Sequence, residues 1–323
     1  MLQHGENSFL AIIHIKQRLV NECMKPIEHV VISGGGHNII TMCGAISYLQ
    51  REKYLDFANL KSVDGTSAGS LLGFTFLLGM DGEELENYLL NRPWEKVFDL
   101  TPEVMFQTFQ GKGLFDIHTM EEILRPIIKS CGVEETLTLQ ELYERTNTDF
   151  YIYATELNKL KMVTLSHHTH PNMRVIDAVY QSCAVPPLFK PIICDENAEC
   201  LLDGGVFANY PLHCFFDRMP EDVDKETVFG IKLKHEQIEK DNIGDKSNIT
   251  EYIFSLIRKL IQHIVIHREY DVQIPNELLI YSKGMSFETL KQSIHSRSER
   301  EHLMSEGRRY ASVYLIYKQK SLN

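Results

Sequence analysis

Apolar and polar residues fall along the chain in blocks whose lengths predict a parallel α/β arrangement. Glu28–Ser33 (EHVVIS) is a short apolar run of the kind that makes a buried strand. It leads into Gly34-Gly35-Gly36-His37-Asn38 and then into a helical pattern through Ala45, Ile46, Tyr48 and Leu49. A second apolar run, Leu60–Val63, enters a tight turn at Gly65-Thr66-Ser67-Ala68-Gly69, and a segment rich in Leu and Phe leaves it as a helix. Strand, glycine loop, helix, strand, turn, helix is the order that a parallel sheet covered by helices requires.

The pattern continues in the same sense. Met80–Thr148 is mostly helical, with stops at Arg92-Pro93, Gly111-Lys112-Gly113 and Cys131-Gly132. Asp149–Glu156 and Leu160–Leu165 are expected strands, and Arg174–Ala184 is an expected helix ended by Val185-Pro186-Pro187. Cys200–Asp203 is a short strand that runs into Gly204-Gly205, and Thr227–Leu233 is a strand between charged stretches at 217–225 and 234–248. Two helical regions follow, Tyr252–Tyr270 and Phe287–Tyr317, while Ser8–Met24 is a loosely amphipathic helix expected to pack on the core. No Pro/Gly/Ser-rich linker or repeat divides the chain. The expected organisation is a catalytic core over 27–233, an N-terminal helical extension over 1–26 and a C-terminal helical region over 234–323 packed on that core.

Composition narrows the function classes. The 323 residues are 43% hydrophobic and 24% charged, as in a globular protein able to bury a large core. A formal charge of −11 argues against nucleic acid as a partner, because phosphate binding needs a basic face. The seven cysteines show no C-x-x-C spacing, which favours free thiols over a disulfide framework or a zinc site. The N-terminal stretch has no basic n-region, and its apolar run is broken by His14, Lys16 and Gln17. A cytoplasmic protein that meets a membrane surface only from one side is therefore expected. Near the end, Arg308, Arg309, Lys318 and Lys320 stand among tyrosines; a solvated face on a packing helix is favoured there over contact with an anionic bilayer.

The chemistry concentrates at the G-x-S-x-G turn. A strand-to-helix corner of this kind projects its serine outward, and Gly65 and Gly69 let the backbones pass closely. Ser67 is the candidate nucleophile. The helix after it aims free amides and the positive end of its dipole at charge developing on the attacked group. Gly35 and Gly36, in the loop after the first strand, suit an oxyanion hole shared with the amide of Ala68. A nucleotide-binding loop is the weaker reading, since Ile39 stands where G-x-G-x-x-G needs its third glycine and no G-K-[ST] follows. Asp203 is delivered to a sharp turn at a strand end and supplies an acidic partner for Ser67. Two serine chemistries then remain: a Ser-His-Asp triad recruiting one of His213, His235, His263, His267, His295 or His302, or a pair of serine and aspartate alone. Trp94, Phe98, Met105, Phe106, Phe109 and Phe115, with Leu114, mark the helical region expected nearest an acyl pocket.

Taken in order, the motifs resemble the patatin-like phospholipases over roughly Ile27–Leu233. Gly34-Gly35-Gly36 after the first strand is similar to that family's oxyanion loop, and Gly65-Thr66-Ser67-Ala68-Gly69-Ser70 to its nucleophile elbow. Ala154-Thr155-Glu156-Leu157-Asn158 and Ser182-Cys183-Ala184-Val185-Pro186-Pro187 resemble two further segments, and Asp203-Gly204-Gly205 with Asn209 and Pro211 resembles its catalytic turn. The loop departs from the family at Asn38 and Ile39, where a basic residue and a glycine usually stand. The resemblance implies a three-layer α/β/α sandwich with a mostly parallel sheet. It also implies hydrolysis of a phospholipid or other acyl lipid at a membrane surface by a Ser67–Asp203 dyad, without metal or cofactor. The alternative, motivated by Asn38 and Ile39, is a catalytically weak lipid-binding or regulatory protein, and whether a protein activator is needed is left open.

Overall fold

The computed structural model describes residues 25–99, 111–194, 198–235, 272–282 and 286–321, with isolated positions between 243 and 260 and at 284. The expected helix at Ser8–Met24 and most of the one at 252–270 lie outside the described residues.

One eight-stranded sheet organises the molecule. Its strands are β1 (His29–Ile32), β2 (Ser62–Thr66), β3 (Asp149–Glu156), β4 (Lys161–Leu165), β5 (Ile192–Cys194), β6 (Glu199–Asp203), β7 (Val228–His235) and β8 (Asn276–Ser282). They run in the order β5-β6-β3-β2-β1-β7-β8, with β4 paired to β3 off this path. The central run β3-β2-β1-β7-β8 is parallel, and β4, β5 and β6 make the antiparallel pairs. The helices used below are α1 (Ile39–Arg51), α2 (Ala68–Leu77), α3 (Gly82–Asn91), α4 (Trp94–Val97), α5 (Ile117–Ser130), α6 (Leu139–Thr146), α7 (Val175–Cys183), α8 (Gly205–Ala208), α9 (Leu212–Arg218), α10 (Phe287–His295) and α11 (Arg297–Ser321).

Both faces of the sheet are covered, so its central strands are apolar throughout rather than alternating. On β1, Val30 and Ile32 pack into the large core beneath α1, α2, α5 and α7, while Val31 points the other way, against Phe215 and Leu212 of α9. Helices on both sides of a mostly parallel sheet make the three-layer α/β/α sandwich.

Three local expectations are corrected by the packing. β2 does not stop at Val63 but continues through Thr66, because all five of its residues are buried between β1 and β3. The 234–323 stretch is not wholly helical: β8 extends the sheet beside β7, and its seven residues alternate in burial as a strand with one covered face does. The pattern over Phe287–Tyr317 is two helices, separated at Ser296, whose amide caps the first by donating to the Gln292 carbonyl at 2.8 Å.

α11 lies across α1 at close range. A Cβ on Gly307 would run into the Thr41 carbonyl, and one on Gly44 into that of Met304, so the two backbones touch where no side chain fits. The C-terminal helix is in this way fixed against the helix that follows the glycine loop.

Candidate active site

Sheet register brings Ser67 and Asp203 together. β4 takes one edge of β3 over Ile152–Glu156, leaving the other edge to two strands in succession: β2 as far as Thr66 opposite Tyr153, then β6 from Asp203 opposite Ala154. β2 arrives parallel to β3 and β6 antiparallel, so their C-terminal ends meet head to head at adjacent residues of one strand. The residue after Thr66 is Ser67.

Ser67 has φ +52° and ψ −125°, a conformation costly to a residue with a Cβ, by about 1–3 kcal/mol. Several contacts hold it there. Its amide donates to Ser182 Oγ at 2.8 Å, and that hydroxyl donates to the Tyr153 carbonyl at 2.5 Å. Its carbonyl accepts from the Ser70 amide at 2.9 Å and the Ser70 hydroxyl at 2.7 Å as α2 begins. Gly69 is required by a close approach, since any Cβ there would meet the Ile32 carbonyl of β1. Gly65, one residue before Thr66, passes against Ser70 in the same turn.

Asp203 is almost wholly buried, and burial pushes its carboxyl up to about 6, against the opposing pull of the nearby Ser67 hydroxyl and of the Gly205 amide. The Gly205 N–H reaches Asp203 Oδ1 at 2.6 Å. Gly204 donates to the Ser182 carbonyl at 3.3 Å, and Thr155 Oγ1 donates to the Asp203 carbonyl at 2.9 Å. The two serines, the aspartate turn and β3 thus form one connected cluster in which Ser182 is the hub. Ser182 was visible in the sequence only as part of a motif; its two-way hydrogen bonding needs the fold to appear.

The glycine loop closes the site from the β1 side. A Cβ on Gly34 would lie 3.2 Å from Ser67 Cβ, and Gly34 exchanges hydrogen bonds with Asn209, its amide donating to the Asn209 carbonyl at 2.8 Å and its carbonyl accepting from Asn209 Nδ2 at 3.4 Å. Gly36 adopts φ +53° and starts a single 3-10 turn, Gly36–Asn38. Asn38, one of the two departures from the family pattern, is buried and donates through both its amide and Nδ2 to the Gly35 carbonyl, each at 3.1 Å. With that carbonyl turned to Asn38, the amides of Gly35 and Gly36 are left with no hydrogen-bond partner among the described residues, and the same holds for Ala68 at the start of α2.

A cavity of about 160 Å³ opens at this point. Gly36, His37, Ser67, Ala68 and Cys183 line one end. Beyond them the walls are apolar, from Leu85 and Leu89 of α3, Trp94 of α4, Ile123 and Ile127 of α5, and Leu290 and Ile294 of α10. Phe98 and Phe115 line it as the aromatic cluster led one to expect; Leu114 is not among its walls, and Met105, Phe106 and Phe109 lie outside the described residues. Also on the lining, buried Arg300 donates to the carbonyls of Ser293, Ile294 and Leu90 at 2.9–3.0 Å, closing the ends of two helices. Among the described residues the histidine that lines this cavity is His37, not any of those downstream of Asp203.

Beneath the elbow, Asp64 of β2 is fully buried. Arg218 of α9 donates to both its oxygens, at 3.1 and 3.0 Å, and Tyr153 Oη donates at 2.5 Å. Burial raises the Asp64 carboxyl and Arg218 opposes the rise.

Sheet, elbow and aspartate turn together define a three-layer α/β/α sandwich of the patatin type. Residues 30–216 match the family described as patatin-like phospholipase, and the chain belongs to that family. The chain is 24% identical over 188 residues to a protein called "Probable lipid hydrolase 463L" of Invertebrate iridescent virus 6, a match spanning 58% of this chain and 63% of that protein. It is 23% identical over 234 residues to the uncharacterized protein R571 of Acanthamoeba polyphaga mimivirus, over 71% of this chain and 74% of that one. In fold it is similar to VipD from Legionella pneumophila, with a TM-score of 0.52 and 18% identity, over 91% of this chain and 67% of VipD. Among the described residues no helix is long and apolar enough to cross a membrane.

Proposed function

We propose that this protein is a serine acyl hydrolase of the phospholipase A or lysophospholipase type, cleaving lipid acyl esters through Ser67 and Asp203. The observation that carries the reading is the meeting of the strained elbow serine and a buried carboxylate of raised pKa at adjacent strand ends, beside an apolar cavity.

In the proposed reaction the acyl chain enters between α3, α5 and α10 with its ester carbonyl over Ser67. Asp203 takes the Ser67 proton as Oγ attacks, and the amides of Gly35, Gly36 and Ala68 hold the oxyanion. Collapse expels the alcohol, which carries away the proton from Asp203, and the acyl group stays on Oγ. Water then attacks the acyl-enzyme, giving its proton to Asp203, and the fatty acid leaves as Ser67 is reprotonated. A carboxylate shifted towards 6 is a better base than an ordinary aspartate and still mostly ionised at neutral pH.

The test is digestion of a phospholipid and lysolipid mixture by the wild type, Ser67→Ala and Asp203→Asn, with products read by mass spectrometry. Fatty acid release is expected from the wild type, with at least about a 10³-fold loss in each variant. A fluorophosphonate probe should label the wild type at Ser67. Liposome binding with no fatty acid from the wild type would instead support a lipid-binding or regulatory role. Full activity in either variant would remove the dyad.

A further inference from the structure

At the end of β3 away from Ser67, three side chains with metal-binding atoms come together. β3 begins at Asp149, while Ser67 and Asp203 meet at its far half. β4 returns antiparallel with Leu165 opposite Ile152, and the same register continued for three residues sets His168 opposite Asp149. In a strand, adjacent His167 and His168 would face opposite sides. Instead the chain turns: the amides of Thr169 and His170 both donate to the Ser166 carbonyl, at 3.1 and 2.7 Å, and Thr169 Oγ1 donates to the Thr164 carbonyl at 2.9 Å.

That turn swings both imidazoles to one carboxylate. Nε2 of His167 lies 3.6 Å and Nε2 of His168 lies 3.4 Å from Asp149 Oδ1. The two rings lie with centroids 3.8 Å apart and planes tilted by 39°, and Tyr143 of α6 stacks on His167 at 4.0 Å and 10°. One ligand atom from each of the three residues lies within 4.8 Å of the others.

We propose that Asp149, His167 and His168 bind a divalent transition-metal ion of the zinc class, tying the start of β3 to the end of β4. Two imidazole nitrogens and one carboxylate oxygen are the donor set such ions prefer over magnesium or calcium, which take oxygens. Bonds of about 2.0–2.2 Å place tetrahedral ligand atoms roughly 3.3 Å apart, so the present nitrogen-to-oxygen spacings need little closing. The His168 side chain is 55% exposed, which leaves a path for the ion and room for water at the fourth position. The site is separate from the acyl chemistry and does not depend on it.

The experiment uses the full chain stripped with chelator, zinc chloride as the probe, and His168→Ala and Asp149→Asn as variants; the exposure of His168 makes its variant the safer to fold. Other histidines and the cysteines also take up zinc, so the readout is the difference between wild type and variants. Equilibrium dialysis should find one zinc more per chain in the wild type, with affinity at that site weakened about tenfold or more in either variant. The rise in melting temperature on adding zinc should shrink in step. Equal zinc content and an equal thermal shift in the wild type and both variants would overturn the proposal.

Discussion

Under the proposed function, Asp203 concentrates the conflict between catalysis and stability in one carboxyl group. Because burial raises its pKa above the unfolded value of about 4, the protonated form suits the fold better than the charged one. Its contribution to stability is therefore complete below about pH 4 and is lost as pH rises through about 6. Two outcomes follow with opposite signs. Ester hydrolysis, which needs the ionised base, should fall on the acid side with a midpoint near 6 in kcat/KM rather than near 4. Asp203→Asn, which keeps an acceptor for the Gly205 amide but never ionises, should melt higher than the wild type at pH 8, by up to the order of 3 kcal/mol, and should show no such gain at pH 4. A thermal melt at the two pH values, beside a pH profile of the wild type, decides both. Asn38 is the second residue whose meaning changed with the structure. From sequence it was a missing basic group; folded, it holds the Gly35 carbonyl by two hydrogen bonds and so orients the loop by itself.

At the scale of elements, the site depends on how β3 shares one edge between β2 and β6. Each strand was legible as an apolar run between turn residues, and the serine and aspartate were legible because each ends such a run. What the chain did not disclose is that β6 runs antiparallel to β3, since pairing direction is a property of the path and not of any window of residues. The same limit hid the Asp64–Arg218–Tyr153 cluster, whose members are 65 to 154 positions apart along the sequence. Here a charged residue sits in the middle of a buried strand, and only α9, packed across the sheet, reaches it. Arg218→Met should leave the Asp64 carboxylate buried without its counter-ion and lower stability by about 3 kcal/mol at pH 7 in urea unfolding. Lowering the pH should narrow the gap to the wild type, because Asp64 without Arg218 takes up a proton more readily. Adding Asp64→Asn to Arg218→Met should recover part of the loss. A gap that does not change with pH and does not respond to the second substitution would mean that Arg218 acts only by packing over Tyr151, whose ring lies 3.4 Å from its guanidinium.

Across the whole molecule, the cavity joins parts of the chain that no local pattern links. The family match ends at residue 216, yet α10 and Arg300 of α11 also line the cavity that takes in Ser67. Those helices were legible as helices, but their place in the site was not: it follows from the contact of α11 with α1 through Gly44 and Gly307, a fit between two small residues separated by most of the chain. Under the proposed function this wall helps set how much acyl chain can be held, because Leu290 and Ile294 line the same apolar space as Ser67. Leu290, only partly buried, can be enlarged with little strain on the core. Leu290→Trp should therefore leave cleavage of acetyl and butyryl p-nitrophenyl esters within about twofold of the wild type. With dodecanoyl and longer esters kcat/KM should drop by about tenfold or more, since each methylene kept out of an apolar site forfeits about 0.8 kcal/mol of burial. A uniform loss across the series would point to damage at the elbow, and an unchanged series would show that the acyl chain leaves the site by another route.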